Sequence, residues 1–166
     1  MRTSLQNKRV LYGLLFRAAS ETLSTIARDP KHLGAKIGFT AVLHSWGQTL
    51  LHHPHLHCVV PAGGLCADEQ RWIAAREHFF LPVRVLSRLF RGKYLAYLRQ
   101  AYRDGRLVLA GRLKDLALAS AWRALLEPLA QIDWVVYAKA PFGSAEQVRK
   151  YLARYRAGKS LAYLAG

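Results

Sequence analysis

Residues 52–60 read HHPHLHCVV, four histidines within six positions followed by an apolar run. The chain has seven histidines in all, so more than half stand at this one place. Along an extended strand side chains alternate between faces, so His53, His55 and His57 share one face and Leu56 and Cys58 the other. His55 and His57 then lie roughly 7 Å apart along the backbone, within reach of a single metal ion. The competing reading is a histidine-rich strand edge that binds nothing. The preceding stretch, IGFTAVLHSW at 37–46, reads as a strand, and the connection GQTLLHHP at 47–54 is short enough for an antiparallel pair. In that arrangement Gln48 can turn its side-chain carbonyl toward the histidines as a third ligand. A mixed nitrogen and oxygen shell with open positions suits Mg²⁺ or Mn²⁺ acting on a phosphate.

The rest of the chain predicts mixed elements without regular alternation. Leu11, Leu14, Leu15, Ala18, Thr22 and Ile26 recur at helical spacing over residues 4–29, and Asp29-Pro30 ends that helix. LHCVVPAGGL at 56–65 reads as the second strand, ended by its Pro-Ala-Gly-Gly. RWIAA at 71–75 reads as a third strand, GRLVLAG at 105–111 as a short one and DWVVYAKA at 133–140 as another. Helices are expected over 82–104, 114–130 and, behind a Ser144/Gln147 capping box, 145–158. The class is α+β with a largely antiparallel sheet. One domain over 1–166 is expected, with an N-terminal helical part at 1–35, a core at 36–157 and a tail at 158–166. Cys58 and Cys66 fit no common zinc-ligand spacing and read as free thiols.

Charge narrows the partner. The chain carries 25 Lys and Arg against 10 Asp and Glu, a net charge of +15. From Arg84 to Lys114 nine basic residues face one acid, Asp104, and from Arg149 to Lys159 five face none. Such stripes are the footprint of a nucleic-acid binder; a basic surface kept for solubility, or one docking on an acidic protein, is the alternative. The residues expected to hold backbone phosphate are Arg84, Arg88, Arg91, Lys93, Arg99, Arg103, Arg149, Lys150 and Arg154. No apolar run is long enough to span a bilayer. The N-terminal apolar patch is broken by Arg17 and lacks a cleavage site, which reads as a cytoplasmic, nucleoid-associated protein.

The last helix carries YLARY, with Tyr151 and Tyr155 one turn apart on one face. Such a pair is most simply core packing. Ringed by Arg149, Lys150, Arg154 and Arg156, and given a metal nearby, either hydroxyl is also a candidate nucleophile toward phosphorus.

Taken together, GFTAVLHSWGQTLLHHPHLHCVVPAGGL and WVVYAKAPFGSAEQVRKYLARY resemble the IS91-type transposases, within the two-tyrosine HUH nuclease group. Residues 55–57 match its His-hydrophobic-His motif, and Tyr151 and Tyr155 its Tyr-x-x-x-Tyr motif. The resemblance runs from about residue 4 to 155. It implies an antiparallel sheet of about five strands flanked by helices, with the histidine motif on a central strand. It also implies Mg²⁺ or Mn²⁺ held by His55, His57 and Gln48. Tyr151 and Tyr155 would cleave and rejoin single-stranded DNA at transposon ends through a covalent 5′-phosphotyrosine link. The cysteine-rich zinc-binding segment usual before this domain is absent, and RAGKSLAYLAG replaces the usual continuation after Tyr155. A truncated copy is expected, and the alternative function is a remnant that only binds DNA through its basic surface.

Overall fold

The chain is seen here as a computed structural model that describes residues 6–46, 52–76, 81–139 and 146–150. Helix α1 spans Lys8–Arg28 and buries Leu11, Leu14, Ala18, Thr22 and Ile26, the three-and-four spacing of a single apolar face. Asp29 leaves the helix in extended conformation, the preference of a residue before proline. Helix α2, Val83–Arg103, packs along α1 and buries Leu86, Leu95, Leu98 and Ala101. The main core joins Leu11 and Leu14 of α1 to Leu95, Leu98 and Ala101 of α2, with Leu107, Trp122 and Leu126 closing it. Trp122 and Leu126 belong to α3, Ala119–Gln131.

Between α1 and α2 a polar clasp crosses the interface. Glu21 accepts from the Tyr97 hydroxyl, from Arg17 Nε at 2.9 Å and from Lys93 Nζ at 3.2 Å. The Arg17 guanidinium also lies 4.2 Å from the Tyr97 ring centroid.

Strands β1 (Thr40–Trp46) and β2 (His52–Val59) form one antiparallel pair, and β3 (Gly63–Leu65) with β4 (Trp72–Ala74) a second. The first pair keeps register from Thr40↔Val59 to His44↔His55, then slips to Trp46↔His52. Two steps on β1 thus oppose three on β2, a bulge that falls at Pro54, which has no N–H to give a ladder. The expected second strand at 56–65 is two elements. β2 starts earlier, at His52, and the glycines read as its end are β3 itself. A Cβ on Gly64 would stand 2.5 Å from the Lys36 carbonyl oxygen, and one on Gly63, at φ +154°, 2.5 Å from that of Ile73. Only glycine lets β3 lie this close to both neighbours.

Among the described residues there are two two-stranded sheets and not one of about five strands. The stretches read as strands at 105–111 and 133–140 form no strand among the described residues, and the 56–65 stretch divides between the two sheets; residue 140 lies outside the described residues. Gly105, at φ +65°, caps α2 instead of opening a strand. Beyond it, Asn7 holds the backbone of Val108 at both ends: Val108 N donates to Asn7 Oδ1 at 2.7 Å, and Asn7 Nδ2 donates to Val108 O at 3.0 Å. Residues 133–139 form neither a helix nor a ladder. Carbonyls in and beside this stretch are taken by side chains of α2, Ser87 donating to Trp134 O and Arg91 to Ile132 O. In both places an amide, hydroxyl or guanidinium stands where a partner strand would. The helix expected at 114–130 is likewise split, into a 3-10 turn at Gly111–Ala117 and α3, with Leu118 extended between them.

Candidate metal centre

The β1–β2 register decides which side chains meet. His44 of β1 pairs directly with His55 of β2, and Val42 with His57. Directly paired residues share a face, and His57 lies two residues beyond His55 on that same face. Pro54, on the opposite side, lines an apolar gap of about 200 Å³ with Leu11, Leu15, Tyr94 and Trp134. Through Pro54 the strand pair borders both long helices.

The result is a triad. Ring centroids lie 4.5 Å apart for His44–His57, 4.9 Å for His55–His57 and 5.4 Å for His44–His55. One nitrogen from each ring falls within 4.8 Å of the others. Nitrogens sharing one ion at about 2.1 Å are about 3.0–3.4 Å apart, so the set would have to draw together by at most about 1.8 Å to hold one. All three histidines are partly buried.

Burial keeps two of the three rings ready for a cation. Burial lowers His57 to about 4, with smaller contributions from His44, His55 and Lys139. Burial, then His55, also lowers His44. Both of these rings are neutral at pH 7 and carry a lone pair. His55 Nδ1 lies 2.8 Å from the His53 carbonyl oxygen. A carbonyl only accepts, so Nδ1 bears a proton and Nε2 is left to face a metal. A backbone carbonyl commonly orients a ligating histidine in this way. Three convergent imidazoles could hold a divalent metal ion.

Sequence reasoning found His55 and His57 but not His44. The signal was present: a hairpin in which 57 faces 42 places residue 44 opposite 55, and His44 interrupts an otherwise apolar strand. The expected third ligand, Gln48, lies outside the described residues, as do Tyr151, Tyr155 and Arg154. His53 sits beside the triad, its ring 5.3 Å from His55, but is not part of it.

The basic residues divide into two groups. Arg84, Arg88, Arg99 and Arg103 of α2 are exposed, as are Arg149 and Lys150; residues 146–150 are helical. Lys150 pairs with Glu146 at 2.8 Å. Arg91 and Lys93 are turned to internal work. Arg91 binds the Ile132 carbonyl and lies 3.7 Å from Asp133, and Lys93 pairs with Glu21. The Cys58 thiol is pushed up to about 11 by burial, and both cysteines are free. Among the described residues no helix is long and apolar enough to cross a membrane.

Known proteins resemble the chain along most of its length. Residues 38–163 match the family model described as "Putative transposase". The chain is 59% identical over 150 residues to the "Putative transposase y4qJ" of Sinorhizobium fredii, covering 90% of this chain and 38% of that one. It is 29% identical over 147 residues to the "Transposase for insertion sequence element IS801" of Pseudomonas savastanoi pv. phaseolicola, covering 89% of this chain and 34% of that one. The chain thus spans little more than a third of the length of these relatives. No solved structure matches it.

Proposed function

Because this chain belongs to the transposase family matched over residues 38–163, we propose that it carries the strand-cleaving centre of a DNA transposase. In this reading His44, His55 and His57 hold a divalent cation at a cut in single-stranded DNA. The observation that carries it is the convergence of three imidazole nitrogens within 4.8 Å on one sheet face. Nitrogen donors favour Mn²⁺ over Mg²⁺, because imidazole suits transition ions and Mg²⁺ prefers oxygen and water. When bound, the ion supplies Lewis-acid polarisation of the scissile phosphate.

The remaining work belongs to the protein. His53 O fixes the His55 tautomer. Lys139, close enough to act on His57 electrostatically, adds a positive charge near the triad. Tyr151 and Tyr155 supply the nucleophile, with Tyr151 acting first. Its hydroxyl gives up its proton as the oxygen attacks phosphorus, the bond from phosphorus to the 3′ oxygen breaks, and that oxygen takes up a proton to leave as the 3′ hydroxyl. The link left behind is still a phosphodiester, so rejoining to another 3′ hydroxyl needs no external energy source. Transposition itself is proposed for the longer proteins of the family, of which the 1–166 domain is the nuclease part.

The test is cleavage of end-labelled single-stranded and duplex oligonucleotides with Mn²⁺, Mg²⁺ or EDTA, read on a denaturing gel. Mn²⁺-dependent cutting of single strands that His55→Ala and His57→Ala abolish is expected. Cutting that survives EDTA, or that the two substitutions leave intact, contradicts the metal-centre reading.

A further inference from the structure

A second cleft lies away from the triad, between the C-terminal half of α2 and α3, with a volume of about 490 Å³. That is the size range of small-ligand sites, about 300–1,000 Å³. Its floor is aromatic and fixed. Trp122 is buried and stacks on Tyr102 with ring centroids 4.3 Å apart and planes 7° off parallel. The Tyr102 hydroxyl donates to Ala117 O at 2.9 Å, which anchors the outer ring of the stack. Its walls are cationic from both helices: Arg99 and Arg103 from α2, Arg123 from α3. Arg103 leans on Gln100 of its own helix. Among the described residues neither Arg99 nor Arg123 has an acidic partner at ion-pair distance. Glu127 also lines the cleft, one turn beyond Arg123, so the lining keeps a net formal charge of +2 (three arginines less one carboxylate).

An acidic protein surface would satisfy the arginines but has no use for a flat apolar floor. Duplex DNA would meet the arginines with its phosphates while its stacked bases stayed out of the cleft. A single strand satisfies both features, since its phosphates suit planar guanidinium forks and an unstacked base has a face to lay on the floor. The cleft is also distinct from the metal centre. Tyr94 borders the gap beneath β2, and Arg103 stands nine residues further along α2, about 13 Å at helical rise.

We propose that this cleft is a second, metal-independent site for single-stranded nucleic acid, in which Arg99, Arg103 and Arg123 hold phosphates and the Tyr102–Trp122 stack receives a base. The choice of nucleic acid as ligand rests on the transposase reading above; the geometry of the cleft does not. Such a site would hold a strand at a fixed offset from the histidines.

Binding of a fluorescent 15-nucleotide thymidine oligomer, followed by anisotropy in EDTA across a salt series, tests it. The triple change Arg99→Gln, Arg103→Gln and Arg123→Gln is expected to weaken binding at least about 30-fold at low salt. It should also flatten the slope of log affinity against log salt by about 2, three contacts at about 0.7 each. Arg28→Gln, Arg71→Gln and Arg76→Gln together remove the same charge elsewhere and should change affinity less than about threefold. Ala119→Trp, which narrows the cleft without touching its charge, should weaken single-strand binding several-fold and spare duplex binding. Equal losses in the two triple variants, or a duplex bound as tightly and weakened as much as the single strand, would overturn the proposal. Because binding is read in EDTA, failure of metal-dependent cleavage at the histidines would leave the second site standing.

Discussion

Replacing His44 by Ala removes the ligand that the β1–β2 register adds to the His-x-His motif, and so tests the triad at its least expected member. Four-ligand structural zinc sites gain about 10–16 kcal/mol on binding, about 2.5–4 per ligand. Mn²⁺ binds more weakly than Zn²⁺ at a given site, and these rings are only partly buried. A loss at or just below the lower end, about 2–2.7 kcal/mol, is therefore expected, or about 30- to 100-fold in affinity. Calorimetric titration with Mn²⁺ reads it. His53→Ala is the control: its ring is 5.3 Å from His55, as near as some triad members are to each other, yet it contributes no nitrogen to the set. It should cost less than about threefold. Unchanged Mn²⁺ affinity in His44→Ala, with a large loss in His53→Ala, would mean that the cation sits on the other side of the β2 bulge and that the triad is wrongly drawn.

Other perturbations probe the scaffold. Asn7→Ala strips both hydrogen bonds from the Val108 backbone and should cost about 1.5–3 kcal/mol in urea unfolding. Gly64→Ala forces a Cβ to within 2.5 Å of the Lys36 carbonyl oxygen, a backbone atom that cannot swing aside, and should cost about 1–3 kcal/mol in the same assay. Glu21 is lowered to about 2, chiefly by the Tyr97 hydroxyl and then by Arg17. Its folded pKa lies below the unfolded 4.5, so its contribution is complete above about 4.5 and lost as pH falls toward about 2. Glu21→Gln should lower stability at pH 7 and flatten the acid limb of the stability curve between those values.

Much of this architecture is legible in the sequence because burial imposes periodicity. Leu11, Leu14, Ala18, Thr22 and Ile26 announce α1, and the alternation of 53, 55 and 57 is enough to place two ligands on one face. Register is less legible, since a strand's own pattern does not say which residue faces it; His44 is found only through its pairing with His55. The apolar stretches at 105–111 and 133–139 mislead for a different reason. Their composition is that of strands, but backbone groups in and beside them are met by Asn7, Ser87 and Arg91, single side chains more than 40 residues away in sequence. The charge pattern locates the basic helix but does not separate the exposed Arg99 and Arg103 from Arg91 and Lys93, which share its sequence and serve its packing.

Everything proposed for the histidine centre turns on one event, the joining of a cut single strand to the domain's own tyrosine. Intact-protein mass measurement after incubation with a single-stranded oligonucleotide and Mn²⁺ detects that event. A mass increase equal to the 3′ portion of the cut strand is expected, mapped by digestion to the peptide containing Tyr151 and Tyr155. The adduct should be absent in EDTA, in His44→Ala and in the double change Tyr151→Phe with Tyr155→Phe. Cleavage that leaves free 5′-phosphate ends with no protein adduct would show water as the nucleophile and contradict the tyrosine mechanism.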